Sequence, residues 1–259
     1  MQERHNDRSR YFEEQAVTCE KFYLPYIKYY VAAQLENVLE VGCGEGGNLM
    51  PFAKEGKKVM GVDYSTTRIN QARQFFEERG LEGTFINSDI FALKEYHNQF
   101  QLIIVHDVIE HIGDKETFLK NMRAYFSADG IMFIAFPAWM MPFGGHQQIS
   151  RGKAASHLPF FHILPKSIYK GILKMFGEKD DVIKELLSIK DTRCTIENFK
   201  KIVNRTGYEI LNQQLYFINP NYQTKFGLKP RKLYKWLSHV PYIRDYFSTS
   251  CFFLIKPKK

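Results

Sequence analysis

The chain has 259 residues and a formal net charge of +8 at pH 7, with 44% hydrophobic and 25% charged residues. This length suits one large α/β domain, or one core with an elaborated insertion. The composition is that of an ordinary globular protein, and it excludes bulk disorder, a collagen-like repeat and a small disulfide scaffold.

The cysteines and the apolar runs bear on the compartment. Cys19, Cys43, Cys194 and Cys251 are scattered without CxxC spacing, which argues against a thiolate zinc site and fits a reducing environment. The N-terminal stretch is polar and lacks the apolar core of a secretory signal, and no apolar run approaches about 18 residues. We therefore expect a cytoplasmic protein without a membrane-spanning helix.

Short apolar runs alternate with helical patterns in the first half of the chain. The runs predict strands at 37–41, 58–62, 84–87, 102–105 and 131–136. The helical patterns lie at about 47–56, 66–79 and 115–126. Strands that alternate with helices in this way indicate βαβ units, and hence a parallel sheet with helices on both faces.

The pattern changes after residue 137. Residues 138–195 hold no further obvious buried strand, and a helical pattern covers 167–189, which predicts an insertion or lid at the carboxyl edge of the sheet. A helix is expected at 195–206, with Thr195 and Glu197 at its start. Strands near 208–218 and 249–255 follow, and the segment 225–247 between them is expected to be partly helical.

The excess positive charge lies at one end of the chain. Residues 219–259 hold nine lysines and arginines and one acid, which accounts for the whole net charge. Such a basic, aromatic segment could face anionic lipid, nucleic acid or an acidic substrate, or it could be a solvated edge of the fold. The sequence does not choose between these interpretations, and it does not predict the number of subunits.

The most informative stretch is VLEVGCGEGG, which begins at Val38. An apolar strand enters a glycine-rich turn, where Gly42 and Gly44 allow a tight bend and a close approach to a ligand. The helix that follows attracts negative charge at its N-terminus. The same glycines, with Gly47, also match the GxGxxG fingerprint of dinucleotide sites.

Acidic residues near the ends of three strands help to distinguish a dinucleotide site from a site for another adenosine-containing cofactor. Asp63 ends the second predicted strand, where ribose hydroxyls can donate to a carboxylate. Asp89 ends the third beside Ile90, an arrangement that suits an adenine amine and ring. Glu40 lies inside the first strand, where a buried acid needs a partner such as a cationic ligand or nearby backbone amides. A dinucleotide site has no evident use for Glu40.

Four motifs in this order and spacing resemble those of class I S-adenosylmethionine-dependent methyltransferases. They are VLEVGCGEGG, VMGVDYS, INSDIF and QLIIVHDVIEHI. The resemblance covers about residues 35–137. It implies a Rossmann-like α/β fold whose seven-stranded, mostly parallel sheet has the order 3-2-1-4-5-7-6, with strand seven antiparallel and an insertion after strand five. The chain would then divide into a cofactor-binding half (1–137), a helical insertion (138–195) and the remainder of the sheet (196–259).

The resemblance also implies the cofactor contacts. They are Glu40, Gly42, Gly44 and Gly46 beneath the methionine part, Asp63 at the ribose, Tyr64, Asp89 and Ile90 around the adenine, and His106 beside the sulfonium through its backbone. N-terminal segments of family members often close over the cofactor, which implies a contact from Tyr11.

The string HDVIEHI ends the fourth predicted strand. Asp107, Glu110 and His111 are spaced i, i+3, i+4, which on a helical turn places them on one face and suits a divalent cation such as Mg²⁺. The string resembles the acid-x-x-Glu-His motif of ubiquinone-biosynthesis and small-RNA 2′-O-methyltransferases, although Asp107 stands where those families have Glu. His146, after the fifth strand, is a candidate fourth ligand. Two alternatives stay open: a metal-free acid/base cluster of His111, Asp107 and His146, and a purely structural role.

We expect a methyltransferase that acts on a small-molecule acceptor, at oxygen, by in-line transfer. Aromatic residues near the insertion (Trp139, Phe143, Phe160 and Phe161) suggest an apolar or aromatic acceptor. A lipid-linked acceptor and peripheral membrane contact would suit the basic C-terminal segment. The alternatives are a metal-dependent RNA 2′-O-methyltransferase, a nicotinamide-dependent oxidoreductase and a non-catalytic member of the family.

Overall fold

The computed structural model of the chain describes residues 7–31, 35–146, 149–150 and 156–258. One mixed sheet runs through the molecule. Its strands are β1 (Asn37–Val41), β2 (Lys58–Asp63), β3 (Thr84–Asn87), β4 (Phe100–His106), β5 (Phe126–Phe136), β6 (Tyr208–Ile218), β7 (Arg231–Lys232) and β8 (Ser250–Pro257).

The strand order is β3-β2-β1-β4-β5-β8-β6-β7. Strands β1 to β5 pair in parallel, and β8 runs antiparallel between β5 and β6. This confirms the predicted order, with β8 as the expected seventh strand. The addition is β7, a two-residue strand on the outer edge of β6. A strand of two residues is too short to show the alternating pattern by which strands are recognised in a sequence.

Eleven α-helices accompany the strands within the described ranges. They are α1 (Arg8–Thr18), α2 (Leu24–Tyr30), α3 (Met50–Lys54), α4 (Thr66–Glu77), α5 (Lys115–Met122), α6 (Lys166–Met175), α7 (Asp180–Thr192), α8 (Ile196–Arg205), α9 (Asn221–Phe226), α10 (Lys235–Ser238) and α11 (Ile243–Tyr246). A π-helical turn, Cys19–Tyr23, joins α1 to α2.

Two helical expectations need correction. The pattern at 167–189 is two helices, because α6 stops before Gly177, whose φ of +74° is the left-handed geometry that commonly follows a helix end. The helix expected to reach residue 126 ends at Met122, because Phe126 already pairs with Phe100 at the start of β5.

Helices cover both faces of the sheet, as expected for mostly parallel strands. Consecutive side chains of a strand point to opposite faces. One layer holds Val38, Ile104, Phe133 and Phe252 beneath α1 to α4. The other holds Leu39, Ile103, Met132 and Phe253 beneath α5 and α8.

The segment after β5 has a small apolar cluster of its own. Its members are Phe161, Tyr169, Leu173, Val182, Ile183 and Leu186, most of them on α6 and α7. Trp139, at the start of the segment, is also buried. Trp139 and Phe161 are therefore packing residues, which leaves Phe143 and Phe160 as the exposed aromatic residues of the four expected near an acceptor.

A buried carboxylate fixes the two ends of this segment to the C-terminal part of the chain. Asp245 accepts hydrogen bonds from the backbone amides of Met140 (2.8 Å) and Ile196 (2.7 Å). The Thr195 hydroxyl caps α8, as predicted, by accepting from the Asn198 amide. Glu197 does not cap the helix, because its carboxylate instead binds the Arg244 guanidinium at 2.6 Å.

Two further expectations concern cysteines and membranes. All four cysteines are buried free thiols. Among the helices of the described ranges, none has both the length and the apolar character that a membrane crossing requires. The compartment itself stays a prediction.

Asp245→Ala should lower the free energy of unfolding by about 3 kcal/mol, because two buried amides lose a charged acceptor. Urea unfolding followed by tryptophan fluorescence measures the change. Asp191→Ala is the matched control, since Asp191 pairs with Lys166 at the surface and should change stability by less than about 1 kcal/mol. Equal losses in the two variants would contradict the proposed anchoring role of Asp245.

Candidate active site

The turn after β1 is held against the end of β2 by its backbone. The amides of Gly42 and Cys43 donate to the Val62 carbonyl at 2.7 and 3.1 Å. Gly42, Gly44 and Gly46 have φ values of +72°, +54° and +83°. A Cβ on Gly42 would overlap Cγ2 of Val108, so this position requires glycine for space as well as for conformation.

Asp63 joins this turn from the end of β2. Its Oδ2 accepts from the Gly44 amide at 2.9 Å, and its Oδ1 accepts from the Ser65 amide at 2.8 Å. Each carboxylate oxygen has a further lone pair. The side chain is half-buried, so it is oriented by the backbone and can still accept from a ligand hydroxyl.

Glu40 lies beneath the turn and is buried. Its Oε1 accepts from the Asn48 side-chain amide at 2.7 Å. Glu40 Oε2 and Asn48 Oδ1 have no hydrogen-bond partner in the described part of the chain. Burial raises the pKa of Glu40 to about 8. Two buried acceptors without donors are costly, and they suit a ligand that brings an ammonium group.

Tyr11, on α1, is half-buried. Burial raises its pKa, and the carboxylates of Asp107 and Glu45 raise it further. Lys225 of α9 lies over the Tyr11 ring, with Nζ 5.5 Å from its centroid. Glu45 is buried and pairs with Arg8 at 3.2 Å. The Arg8–Glu45 pair therefore attaches helix α1 to the glycine-rich turn.

Residues expected at the adenine come together at the ends of β2 and β3. Tyr64 is 77% exposed, and burial, followed by the neighbouring Asp89 carboxylate, raises its pKa. Asp89 is exposed and accepts from the Phe91 amide at 2.9 Å. Ile90 packs in the core next to them. A ring could therefore lie against Tyr64 within reach of the second Asp89 oxygen.

His106 ends β4 and is buried. Its Nε2 lies 2.9 Å from the Tyr23 hydroxyl, which in turn donates to Asn221 Oδ1 at 2.9 Å. The Tyr23 hydroxyl proton is committed to Asn221, so His106 Nε2–H is the donor to Tyr23. Burial lowers the pKa of His106 and keeps the imidazole neutral. The side chain thus joins β4, the π-helical turn and α9.

Three side chains meet just beyond the end of β4. Glu110 is buried on the 3₁₀ turn Ile109–His111, His111 is exposed, and His146 reaches them from the loop after β5. One ligand atom from each residue lies within 4.8 Å of the other two. His146 Nε2 is 3.9 Å from Glu110 Oε1, and the two imidazole rings meet edge to face at 5.1 Å.

Asp107 lies outside this three-residue group, contrary to the expected common helical face. Its φ is +52°, and the 3₁₀ turn begins only at Ile109, so Asp107 is not on the same helical turn as Glu110 and His111. Its exposed carboxylate is 3.7 Å from His106 Nδ1 instead. The i, i+3, i+4 argument fails because it assumed helical backbone at Asp107.

The environment sets the protonation of the group. Burial, and after it the Asp107 carboxylate, raises the pKa of Glu110. Burial, and after it the neighbouring His111, lowers the pKa of His146 to about 4. His111 is exposed on one side only, and the partial burial of its ring also lowers its pKa. Both imidazoles are therefore neutral at pH 7, and each offers a lone pair for a proton or a cation.

Sequence reasoning missed the partners of these residues. Asn48 directly follows the glycine-rich turn, and the need of Glu40 for a donor was a signal that could have found it. Tyr23 and Asn221 are 198 residues apart and match no motif. Lys225 was seen only as part of the basic C-terminal segment. Only folding brings Tyr23 and Asn221 to His106, and Lys225 to Tyr11.

Comparison with known proteins identifies the family. Residues 33–207 match the family model described as a methyltransferase domain. The chain belongs to the class I S-adenosylmethionine-dependent methyltransferases. It is therefore an enzyme of the expected class, and the match gives no support to a nicotinamide-dependent oxidoreductase.

Individual relatives agree with the family. The ubiquinone biosynthesis O-methyltransferase of Coxiella burnetii is 28% identical over 151 residues, which cover 56% of this chain and 60% of that relative. An S-adenosylmethionine-dependent methyltransferase from Clostridium acetobutylicum superposes with a TM-score of 0.59 at 12% identity, over 94% of this chain and 92% of that one. The plantazolicin methyltransferase BamL, solved with S-adenosylhomocysteine, gives 0.57 at 12% identity over 99% and 89%. The two structural likenesses concern the fold alone.

Gly42→Ala should destabilise the protein more than Gly56→Ala does. Both glycines have similar positive φ values, so each substitution should cost about 1–2 kcal/mol in backbone strain. A Cβ on Gly56 meets nothing within 4 Å, whereas one on Gly42 displaces Val108, which should add about 1–3 kcal/mol. Urea unfolding of both variants measures the difference, and equal losses would show that Val108 yields freely.

Proposed function

We propose that this methyltransferase transfers the methyl group to an oxygen atom of a small-molecule acceptor. The observation that supports this most is the group formed by Glu110, His111 and His146 beyond the end of β4. A hydroxyl is a poor nucleophile and gains from a general base or a Lewis acid, whereas an amine needs only its neutral form. The printed name of the Coxiella relative, an O-methyltransferase, points the same way.

The cofactor residues follow the same proposal. Glu40 and Asn48 would receive the amino group of the methionine part, because both hold buried acceptors without donors. Asp63 would accept from the ribose hydroxyls, and Asp89 from the adenine amine with Tyr64 against the ring. The backbone of His106 would border the sulfonium.

S-Adenosylmethionine supplies a methyl group on a sulfonium, which is already activated for displacement. The work left to the protein is alignment and the exclusion of water. Lys225 lies over the Tyr11 ring, so we propose that the two residues close over the cofactor together. We also propose that residues 138–195 form a lid over the acceptor, between the cofactor-binding half (1–137) and the rest of the sheet (196–259).

His111 is the candidate general base. Its ring is exposed, and its lowered pKa keeps a lone pair available at neutral pH. It would take the hydroxyl proton of the acceptor as the new carbon–oxygen bond forms, and the neighbouring His146 would hold the ring in place. The Asp107 carboxylate raises the pKa of His111, because its negative charge stabilises the imidazolium that forms on proton transfer.

The same three residues also fit a divalent cation, and two imidazoles with one carboxylate suit Zn²⁺ or Mn²⁺ better than Mg²⁺. Both carboxylate oxygens of Glu110 are buried and have no hydrogen-bond partner within the described ranges, which is unusual for an acid unless a cation or a proton is supplied. Glu110, His111 and His146 would be the protein ligands, and Asp107 would lie outside them. A bound cation would act as a Lewis acid toward the acceptor oxygen.

The acceptor site is proposed to be partly apolar. Phe143 and Phe160, both about 40% exposed, lie on the segment that follows β5. Together with the name of the Coxiella relative, they favour an aromatic acceptor that carries hydroxyl groups, and a lipid-linked one is compatible with them. No specific observation at this edge favours RNA, so we do not propose it.

Binding of S-adenosylhomocysteine at pH 7 should release close to one proton from Glu40. With a pKa of about 8 the free carboxyl is mostly protonated, and an ammonium group beside it favours the ionised form. Titration calorimetry in phosphate and Tris buffers measures the release, which should fade as the pH rises above 8.

Glu40→Gln should abolish the release and weaken binding about tenfold, which corresponds to about 1.4 kcal/mol. Glu36→Gln, at an exposed carboxylate of the neighbouring loop, is the control. Tight binding without proton release by the wild-type protein would contradict the assignment of Glu40.

Mg²⁺, Mn²⁺ or Zn²⁺ should raise the melting temperature of the protein saturated with S-adenosylhomocysteine, because a ligand of the native state stabilises it. His146→Ala should remove that rise, whereas His239→Ala, at an exposed histidine elsewhere, should keep it. A rise with the nucleoside and none with any metal would contradict the cation site and leave His111 as the base.

The protein free of S-adenosylhomocysteine tests the acceptor atom. Supplied with S-adenosylmethionine, the enzyme should methylate catechol at oxygen and leave o-phenylenediamine unchanged, as followed by mass spectrometry. Methylation of the diamine alone would contradict transfer to oxygen.

A further inference from the structure

A basic cavity borders β6 and β7 at the outer edge of the sheet. Its volume is about 420 Å³, and α8, β6 and residues 232–244 border it. None of the candidate active-site residues lines it. Four of its lining residues are cations, namely Lys200, Lys232, Lys235 and Arg244, and the lining contains no acid.

The three lysines have no counter-charge of their own. Within the part of the chain that the structure describes, Lys200, Lys232 and Lys235 enter no ion pair. Arg244 differs, because it is buried, pairs with Glu197 at 2.6 Å and donates to the Ser238 carbonyl at 2.8 Å. Arg244 therefore helps to build the wall, and the three lysines give the cavity its net positive charge.

Lys200 is the most enclosed of the three. It is half-buried on α8, and burial, followed by the charge of Arg244, lowers its pKa, while the nearby Glu197 carboxylate acts in the opposite direction. An anion in the cavity would reverse this effect, since an opposite charge at short range favours the ammonium form. Like charges around one cavity repel one another, so an anion would also reduce the repulsion among the three lysines.

The donors around the cavity favour phosphate over other anions. Lysine ammonium groups only donate, and phosphate oxygens accept several charge-assisted hydrogen bonds at once. The positive charge of three lysines exceeds the single negative charge that one carboxylate would supply. The volume lies within the range of small-molecule sites and exceeds that of one phosphate group, so the ligand would carry a diphosphate or an organic part.

We propose that this cavity binds a phosphate-bearing ligand at a site separate from methyl transfer. The phosphate could belong to a soluble diphosphate compound or to a lipid headgroup. Tyr234 and Trp236, each 70% exposed, flank Lys235 in the chain and would suit the interface of a bilayer in the second case. The excess positive charge of residues 219–259 would draw either ligand toward the cavity.

The experiment measures phosphate binding by the full chain with inorganic pyrophosphate in titration calorimetry at a fixed salt concentration of about 0.15 M. The test variant is Lys200→Gln/Lys232→Gln/Lys235→Gln. The control is Lys54→Gln/Lys94→Gln/Lys120→Gln, which removes the same charge from exposed lysines elsewhere. The same three proteins are sedimented with phosphatidylcholine vesicles, with and without phosphatidic acid.

We expect one pyrophosphate per chain, bound at least about tenfold more weakly by the cavity variant than by the control. That result supports a soluble ligand. Binding confined to vesicles with phosphatidic acid, and lost only in the cavity variant, supports a lipid headgroup. Absence of binding in both assays, or equal weakening in the cavity and control variants, would overturn the proposal. Unchanged binding of S-adenosylhomocysteine by the cavity variant confirms that it is folded.

Discussion

The contact between Gly42 and Val108 is the constraint on which the candidate site depends. Because Gly42 has no Cβ, the chain leaving β4 packs directly onto the turn after β1. That packing brings the segment that carries Glu110 and His111 close to the turn expected to hold the methyl donor. An in-line transfer tolerates little misplacement, so the distance between the donor and the groups that activate the acceptor must be fixed by the scaffold. A substitution at Gly42 would disturb both halves of the site at once.

Burial raises the pKa of both buried acids of the candidate site. Glu40 and Glu110 are both nearly inaccessible, and both keep carboxylate oxygens without hydrogen-bond donors in the described ranges. In each case burial is the largest cause of a raised pKa, so each is a proton-binding group in the free protein and a candidate to bind a cation when one arrives. Neutral imidazoles beside Glu110 complete the second of these sites. A stability optimum would not leave such groups unsatisfied, which is the reason to connect them with function.

The sequence predicted the sheet well because the strands follow a period and are joined by recognisable turns. The glycine-rich turn, Asp63 and Asp89 fall at strand ends, and the parallel order places those ends at one edge. The errors have local physical causes. Asp107 was given helical geometry, but its backbone is left-handed; α6 and α7 were joined across Gly177; and Trp139 and Phe161 were assigned to an acceptor although they pack in the interior. The partners of Glu40 and His106 come from other parts of the chain, so no local pattern could reveal them.

Strand β6 and the residues after it contribute to two sites, the candidate active site and the basic cavity. At its carboxyl end, β6 leads to Asn221, which holds Tyr23 and through it His106; further back, the same strand borders the basic cavity. Coupling between two sites requires an element with two arrangements, and β6 is hydrogen-bonded to β8 along most of its length and to β7 near its end. Because β6 is hydrogen-bonded on both sides, it does not provide the second conformation that coupling would need. We therefore infer that a phosphate group in the cavity would locate the enzyme or tether a ligand, and would leave the rate of methyl transfer at a given acceptor concentration unchanged.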